Sequence, residues 1–339
     1  MVITQGSGVI QQMSLLKKQI NTFLLDNAYV EKGEFMLLET IVQYCNEKFL
    51  SYGDNCGNTT CTHPTGQCSG SCYNCLYHIH FPDRAPENSK TLYDCPKMLC
   101  HYVCQYSYLY ATELFCAFQS KLDFLKDYSY FHILSLGCGG CADLMGFEFF
   151  AHQNNIHAPV SYIGIDINEN WADIHTAIKE YTNENSIGFK VPFYKDVFSV
   201  FRERDIHETN VIVISYLISY LYNSGQIRQI DELAELVVDK IVSQKGASNK
   251  LLFVINDVNS NRRGRVYFTY FETAIRRKGL TISKRDFRFF ESGSLNEWQR
   301  IGTPYKIRRS VFEIPHEIKN RYHAQSAVQS TIQLLLEVE

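Results

Sequence analysis

The sequence contains no run of about 18 uncharged apolar residues, the length that a membrane-spanning helix requires. Its N-terminal residues also lack the continuous apolar core of a signal peptide, because polar residues interrupt every apolar stretch. No internal repeat or low-complexity tract is present. With 45% hydrophobic and 20% charged residues among 339, the composition is that of a soluble globular protein. We therefore expect no membrane partner and a cytoplasmic location.

Most of the chain has no excess of positive charge. The excess is concentrated near the C-terminal end. Residues 261–321 contain 15 Lys and Arg against 6 Asp and Glu, a local net charge of +9 in a chain whose total is −3. Such a segment can bind phosphates, although basic stretches are more often solvated surface. The pattern makes RNA a candidate partner, with contact to a protein partner as the alternative.

Cysteine is scarce outside one region, since ten of the 12 cysteines lie between residues 45 and 116. In a reducing cytosol this clustering favours metal ligands over disulfides. Cys68, Cys72 and Cys75 fall within eight residues, and Cys95 precedes a helix whose positive end stabilises a thiolate. We predict that these four residues bind zinc tetrahedrally. The competing ligands are Cys56, Cys61, His63, His78 and His80.

The C-x3-C-x2-C spacing also resembles, locally, the cluster motif of the radical S-adenosylmethionine family. An iron–sulfur cluster is therefore the alternative to zinc. That motif normally follows the first strand of a barrel, whereas the residues before Cys68 are turn-like and no barrel pattern follows. Cys100 and Cys104 are four residues apart in a helical stretch that continues to Cys116, and we expect all three in a hydrophobic core.

Two blocks of secondary structure are predicted. Apolar residues recur at helical intervals over residues 8–25 and 34–50, and a long helix begins near Pro96. From about residue 130, apolar runs alternate with helical segments, which predicts a mostly parallel sheet with helices on both faces. The predicted fold class is α/β. A helical region, 1–126, carries a Cys-rich module over about 51–104 and precedes a Rossmann-like domain, 127–339, with a basic C-terminal part.

A glycine loop follows the first predicted strand, in the sequence LSLGCGG. Gly137 and Gly139 allow positive φ and close approach of the backbone to a ligand, and the next helix begins with free N–H groups. Doubly wound sheets bind ligands at this edge. The second strand ends at Asp166, which can accept both hydroxyls of a ribose. Asp196 follows the next strand, where it can accept a hydrogen bond from an adenine amine.

The ordered series LSLGCGG, YIGIDINENW, FYKDVF, VIVISYLISYL and KLLFVINDVNS resembles the class I S-adenosylmethionine-dependent methyltransferase family. The resemblance covers residues 130 to about 290. It implies that the methionine part of the cofactor is lined by Gly137, Cys138 and Gly139. It further implies that Asp166 holds the ribose and Asp196 the adenine amine, and that the methyl-transfer site is bordered by Ser215 and Tyr216.

Two positions depart from the family pattern. Ser135 stands where the family commonly has an acid, and from there its hydroxyl would reach the cofactor's amino group through water. Cys141 replaces the last glycine of the G-x-G-x-G pattern. Other nucleotide folds fit less well: Asp143 occupies the closing small-residue position of a nicotinamide-binding fingerprint, and the Lys-Ser/Thr pair of a P-loop is missing.

The fourth strand is followed by ISYLISYL instead of Asp/Asn-Pro-Pro-aromatic, which argues against methylation of exocyclic amines of adenine or cytosine. Arg262, Arg263 and Arg265 after the fifth strand would clamp a phosphate-bearing acceptor. We therefore predict an S-adenosylmethionine-dependent methyltransferase with Ser215 and Tyr216 as catalytic residues and structured RNA as acceptor. The alternatives are a non-catalytic methyltransferase-fold module that binds RNA or protein, and a methyltransferase for small molecules or proteins.

Overall fold

The computed structural model describes residues 36–53, 71–81, 84–85, 92–185, 187–190, 208–242, 250–291, 295–327 and 331–339. The predicted helix at 8–25 lies outside these residues, as do Cys68, Asp196 and the candidate ligands Cys56, Cys61 and His63. Within the described residues, no helix is both long and apolar enough to cross a membrane. The nine cysteines described are all free thiols.

Among the described residues, helices dominate before residue 130 and alternate with strands after it. The helices are α1 (Leu37–Ser51), α2 (Cys72–His80), α3 (Pro96–Gln119), α4 (Leu122–Leu125), α5 (Ala142–Gln153), α6 (Ala172–Glu184), α7 (Leu217–Asn223), α8 (Ile227–Val237), α9 (Phe268–Arg277) and α10 (His316–Tyr322). The predicted long helix is α3, with Cys95 as its N-cap and Pro96 in its first turn, where the missing N–H costs no hydrogen bond. The predicted helix at 34–50 corresponds to α1.

Among the described residues, eight strands form one sheet. They are β1 (Phe131–Leu136), β2 (Val160–Ile165), β3 (Gly188–Lys190), β4 (Val211–Ser215), β5 (Leu251–Val258), β6 (Ile282–Phe290), β7 (Thr303–Tyr305) and β8 (Thr331–Val338). The order is β3-β2-β1-β4-β5-β8-β6-β7. Strands β1 to β5 pair in parallel, and β8 pairs antiparallel with both β5 and β6. The predicted Rossmann-like sheet, mostly parallel and flanked by helices, is confirmed.

The strand order reverses between β1 and β4, which pair from Ile133 with Val211 to Leu136 with Ile214. The crossover connections that follow these two strands therefore leave in opposite directions. This arrangement opens a crevice beyond the carboxyl ends of the strands, which is where open α/β sheets bind ligands.

A hydrophobic core lies on each face of the sheet. Val103 and Leu114 of α3 share one core with Ile133 of β1, and Leu134 belongs to the other core with Ile230 of α8. Neighbouring residues of β1 enter different cores because side chains alternate along a strand. Described helices of the 36–126 region thus pack directly on the sheet. The described parts of the two predicted regions, 1–126 and 127–339, therefore share a hydrophobic core.

Helix α3 joins the N-terminal region to the sheet. Cys100, Cys104 and Cys116 are buried in its core-facing surface, which confirms that they are core residues. Just beyond the helix, the buried Lys121 ammonium donates to the carboxylate of Asp286 on β6 and, at 2.8 Å, to that of Glu337 on β8. The connection between α3 and the sheet is therefore both apolar and ionic.

Candidate functional site

A cavity of about 1480 Å³ opens at the carboxyl ends of β1, β2 and β4. The glycine loop and the strand ends contribute to its lining, with Gly137, Asp166 and Ser215 among the lining residues. Aromatic residues of α2, α3 and the segment before α3 also line it. The cavity therefore occupies the crevice that the reversal of strand order creates.

The glycine loop presents its backbone to the cavity. Gly137 has φ +69° and Gly139 has φ +47°, conformations in the left-handed region that favours glycine. The N–H groups of Gly137 and Cys138 both donate to the carbonyl of Ile165, at 2.8 and 3.1 Å, which ties the loop to the end of β2. A side chain at Gly137 would meet Leu217 of α7 at 3.2 Å. The tight turn and the close approach of α7 both require a residue without a side chain.

Asp166 lies at the end of β2, where the sequence predicts a ribose-binding carboxylate. Its Oδ2 accepts the N–H of Gly139 and its Oδ1 accepts the N–H of Asn168, both at 2.9 Å. Burial raises the pKa of Asp166, while these backbone hydrogen bonds act in the opposite direction. Each carboxylate oxygen has a second acceptor site, so Asp166 can accept further hydroxyls from the cavity without losing its backbone partners.

Two of the predicted cofactor-binding side chains turn away from the cavity. Ser135 is 2% exposed and hydrogen bonds with Asp143 and Tyr162. It shares a sheet face with Ile133 and therefore faces α5 instead of the open strand end. This corrects the predicted water-mediated contact of Ser135 with the cofactor. The Cys138 side chain is buried in the core behind the loop, so only the backbone of this residue faces the cofactor side.

Ser215 and Tyr216 both line the cavity at the end of β4. Tyr216 is the N-cap of α7 and has φ +56°, an uncommon conformation for a bulky residue. Its hydroxyl donates to Glu113 at 2.8 Å and lies 3.0 Å from the hydroxyl of Thr331. Burial raises the pKa of Tyr216 well above its ordinary value, so the hydroxyl stays protonated and does not serve as a base at neutral pH.

Glu113, in the C-terminal half of α3, is a buried acid that does not itself line the cavity. Its carboxylate accepts hydrogen bonds from Tyr216, from Asn256 at 3.0 Å and from Thr331 at 2.7 Å. Burial raises the pKa of Glu113 to about 7, although the three hydrogen bonds act in the opposite direction. The one sequence signal for this residue is an acid inside the apolar and aromatic stretch YSYLYATELFCAF.

We use the name tyrosine wall for five residues that line the cavity: Tyr93, Tyr102, Tyr106, Tyr110 and Tyr220. Tyr106 and Tyr110 stack with 5.5 Å between ring centroids and 8° between ring planes. Tyr110 also packs 4.3 Å from Tyr216. Burial raises the pKa of Tyr106 and Tyr110 above the ordinary value. The wall therefore combines flat apolar surface with hydroxyl groups that stay protonated.

The three arginines after β5 have different surroundings. Arg265 is 7% exposed, and its guanidinium donates to two asparagine side chains and to the carbonyl of Trp298. Arg263 donates to the carbonyl of His80 at 3.0 Å and holds the end of α2 against the cavity rim. Arg262 is exposed. Of the predicted phosphate clamp, Arg265 is thus committed to contacts within the fold, Arg263 makes one such contact and lines the cavity, and Arg262 faces solvent.

The described part of the predicted metal module comprises α2 and the start of α3. Cys72 and Cys95 are buried in one small cluster, and Cys75 packs against it. Cys68 lies outside the described residues, so the site with four ligands stays a prediction. Among the competing ligands, His80 lines the cavity, and burial followed by the charge of a nearby arginine lowers its pKa to about 4.

Behind the glycine loop, Cys138, Cys141 and His175 lie together, with their potential metal-binding atoms within 4.8 Å of one another. His175 Nε2 is 2.6 Å from the carbonyl oxygen of Gly139. Burial raises the pKa of Cys138. Burial also opposes ionisation of Cys141, but hydrogen bonds from Cys138 and His175 outweigh it and lower the pKa of Cys141 to about 6. The sequence suggests a glycine loop at these cysteines and carries no signal for His175.

No family model and no curated protein matches the sequence. Among solved structures, the plantazolicin methyltransferase BpumL in complex with SAH is 13% identical, with a TM-score of 0.38 over 87% of this chain and 99% of that chain. The precorrin-6y C5,15-methyltransferase from Geobacter metallireducens GS-15 is 8% identical, with a TM-score of 0.33 over 65% and 85%. The methyltransferase domain of bacterial-CtHen1-CN is 10% identical, with a TM-score of 0.36 over 67% and 98%. These values are too low to transfer an activity or a substrate to this chain.

Proposed function

We propose that this chain is an S-adenosylmethionine-dependent methyltransferase whose acceptor is a small planar molecule. The observation that carries the proposal is a single cavity that is lined by the glycine loop, Asp166 and Ser215 together with the tyrosine wall. Its volume of about 1480 Å³ exceeds the roughly 300–1,000 Å³ of a pocket for one ligand. The cavity has room for a nucleoside cofactor and an acceptor side by side.

The bound cofactor would supply a methyl group bonded to a sulfonium sulfur. An acceptor would attack the methyl carbon in line with the carbon–sulfur bond that breaks. The chain then has to align the two molecules and exclude water. Gly137 and Gly139 offer a backbone surface for the methionine part, and Asp166 offers acceptor oxygens for the ribose hydroxyls. Ser215 lines the same cavity at the end of β4. The role of Asp196 at the adenine amine stays a prediction.

The tyrosine wall supports a planar acceptor. Aromatic rings pack favourably against flat ligands in stacked and edge-on arrangements, and tyrosine hydroxyls add hydrogen bonds that fix orientation. RNA, the acceptor predicted from the sequence, has less support because Arg263 and Arg265 hold internal contacts. An RNA acceptor would have to insert a single base into the cavity and rely on Arg262 for its phosphates.

Cofactor binding is tested by isothermal titration of the full chain with S-adenosylmethionine and S-adenosylhomocysteine. We expect Asp166→Ala to weaken binding by about 10- to 100-fold, because hydrogen bonds to a charged group contribute about 1.5–3 kcal/mol. Asp166→Asn keeps one acceptor oxygen and should fall between. The surface variant Asp123→Ala is the matched control and should bind as wild type does. If wild type binds neither compound, the enzyme proposal is wrong and the non-catalytic binding module is favoured.

Acceptor class is tested with cofactor labelled in its methyl group, offered with mixed phenols, indoles and aromatic amines or with total cellular RNA. We expect the label in the small aromatic compounds. Tyr106→Leu should raise the acceptor KM while leaving the cofactor Kd unchanged, and Tyr267→Leu, outside the cavity, should change neither. Labelling of RNA, with binding that falls steeply with salt and is weakened by Arg262→Glu, would contradict the small acceptor.

Zinc bound by Cys68, Cys72, Cys75 and Cys95 is a further part of the proposal, supported by the shared burial of Cys72 and Cys95. Metal analysis of purified protein should find zinc that disappears in Cys72→Ser/Cys75→Ser. A brown protein containing iron would favour the iron–sulfur alternative. The cytoplasmic location and a protein partner stay predictions.

A further inference from the structure

We infer that Cys138, Cys141 and His175 form a binding site for a thiophilic metal ion, Zn²⁺ above all, directly behind the glycine loop. The three potential ligand atoms lie within 4.8 Å of one another, and all three residues are buried. In a tetrahedral zinc complex such atoms stand about 3.5–3.8 Å apart, given Zn–S near 2.3 Å and Zn–N near 2.0 Å. Side-chain adjustments of about 1 Å are enough to close the site around an ion.

The orientation of His175 is that of a metal-binding histidine. Its Nε2 bonds to the carbonyl oxygen of Gly139 at 2.6 Å, and the ring also hydrogen bonds with Cys141. Histidines that bind metals typically donate one ring N–H to a carbonyl or carboxylate, which directs the other nitrogen to the ion. Here the contact with Gly139 engages Nε2, so Nδ1 is the nitrogen that would bind the ion.

The two cysteines are brought together by a turn of two glycines. The N–H of Cys141 donates to the carbonyl of Cys138 at 2.7 Å, which closes the turn Cys138-Gly139-Gly140-Cys141. Cys141 has φ +57°, and this left-handed conformation directs its side chain into the space behind the loop. The C-x2-C spacing is one that structural zinc sites use. The turn thus places both thiols beside His175.

The donor set selects the class of metal. Two thiols and an imidazole prefer Zn²⁺ or Cu⁺, whereas Mg²⁺ and Ca²⁺ prefer oxygen ligands. Asp143 is buried close to both sulfurs, and its Oδ1 accepts the hydroxyl of Tyr162 at 3.0 Å. Asp143 thus belongs to the surroundings of the site, and the fourth position of a tetrahedron would fall to a ligand outside the three residues. Cysteine binds metals as the thiolate, so an ion would replace the protons of the thiols.

A metal at this position would hold the loop whose backbone lines the cavity. Gly139 is the common element, because its carbonyl bonds to His175 and its N–H bonds to Asp166. We therefore expect bound Zn²⁺ to tighten binding of S-adenosylhomocysteine by at least about fivefold, with a reciprocal effect of the cofactor product on zinc. This coupling rests on the proposed function, whereas the metal site itself does not.

The test measures zinc binding to the full chain, without cofactor and under reducing conditions, by competition with a chromophoric chelator. The parent is Cys72→Ser/Cys75→Ser, which lacks the predicted N-terminal site. We expect one Zn²⁺ per chain in this parent and none after Cys138→Ser/Cys141→Ser is added. Cys116→Ser, which changes a buried cysteine of the same core, is the matched control and should keep the ion.

A second measurement guards against variants that do not fold. His175→Ala leaves both cysteines in place and should weaken zinc binding at least about 100-fold, since even outer partners of metal ligands contribute about 10- to 100-fold. Co²⁺ bound to the parent should show thiolate charge-transfer absorption that His175→Ala alters. Absence of zinc from the parent, zinc that survives the loss of both cysteines, or a Cys138–Cys141 disulfide in protein purified under reducing conditions would overturn the inference. Because these measurements omit the cofactor, failure of cofactor binding leaves their outcome unchanged.

Discussion

Glu113 is the residue at which burial and the candidate site are most closely linked. Its pKa rises from 4.5 to about 7 on folding, so the carboxyl binds a proton more tightly in the folded chain than in the unfolded one. The stability contributed by this protonation is complete below about pH 4.5 and is lost as the pH rises to about 7. Burial also raises the pKa of Asp143 to about 7 and that of Asp257 to about 6, so they add to the same trend.

We expect Glu113→Gln to reduce this pH dependence. The amide stays neutral, so the free energy of unfolding should fall by about 3 kcal/mol less than in wild type between about pH 4.5 and pH 7.5. The glutamine side chain also has one hydrogen-bond acceptor fewer for the three groups that donate to Glu113. This loss should lower the free energy of unfolding by about 1–3 kcal/mol at low pH. Urea unfolding across this range checks the expectation, with the exposed Glu297→Gln as control. Parallel curves for Glu113→Gln and wild type would contradict it.

At the scale of elements, α3 and α5 pack so closely that Gly146 has no room for a methyl group. A Cβ there would lie 2.5 Å from the carbonyl oxygen of Ala111 and 2.9 Å from the backbone nitrogen of Phe115. Helix propensity alone favours alanine over glycine by about 1 kcal/mol. The opposing contact is with backbone atoms of a helix, which do not rotate aside as a side chain does. We therefore expect the clash to outweigh the gain in helix propensity, so that alanine at this position lowers the free energy of unfolding.

Gly146→Ala should lower the free energy of unfolding by about 2 kcal/mol, within the usual range for overpacking. Because α5 begins at the glycine loop, the variant should also weaken binding of S-adenosylhomocysteine. Gly188→Ala is the control, since its nearest neighbour atom is at 3.4 Å, and it should change stability by less than about 0.5 kcal/mol. Denaturant unfolding measures both variants, and a Gly146→Ala protein as stable as wild type would show that the helices are not in close contact.

At the scale of the whole molecule, described helices before residue 127 and the sheet after it share one core. Leu99 and Val103 of α3 belong to the same hydrophobic core as Phe131 and Ile133 of β1. Lys121 adds ionic contacts to two distant strands. A sheet face that loses α1 and α3 would expose this core to water, which is unfavourable in proportion to the apolar area.

The shared core predicts a single cooperative unfolding transition for the two regions. Trp171 packs 5.7 Å from Tyr102 of α3, so its fluorescence reports on the contact between them. We expect urea curves from tryptophan fluorescence and from far-ultraviolet circular dichroism to coincide. A fragment of residues 127–339 should not fold by itself. Two separate transitions, or a folded fragment, would support the independent domains predicted from the sequence.

The fold also reduces the positive charge that the basic segment 261–321 exposes. Arg277 pairs with Glu235, and Lys278 with Asp239, so acids from α8 and the turn after it compensate part of the local charge. Arg265 is withdrawn from the surface altogether. The net charge of +9 counted along the sequence therefore overstates the positive charge that a phosphate-bearing partner would meet.

Local patterns in the sequence are enough to predict the α/β class, the long helix α3 and the glycine loop after β1. These features depend on local information: the period of apolar residues, a proline at a helix start, and glycines where the chain must turn. The position of Asp166 followed from the same pattern, because the end of a predicted strand also fixes the edge of the sheet on which its last residue lies.

Contacts between side chains that are distant in sequence are known from the tertiary structure alone. Ser135 faces α5 because side chains alternate along β1, and one residue of register changes the face. Glu113 reaches Tyr216, and His175 reaches Cys141, across separations in sequence that no local pattern records. Such contacts arise from the packing of α3 and α6 against the sheet edge, and packing depends on the whole core.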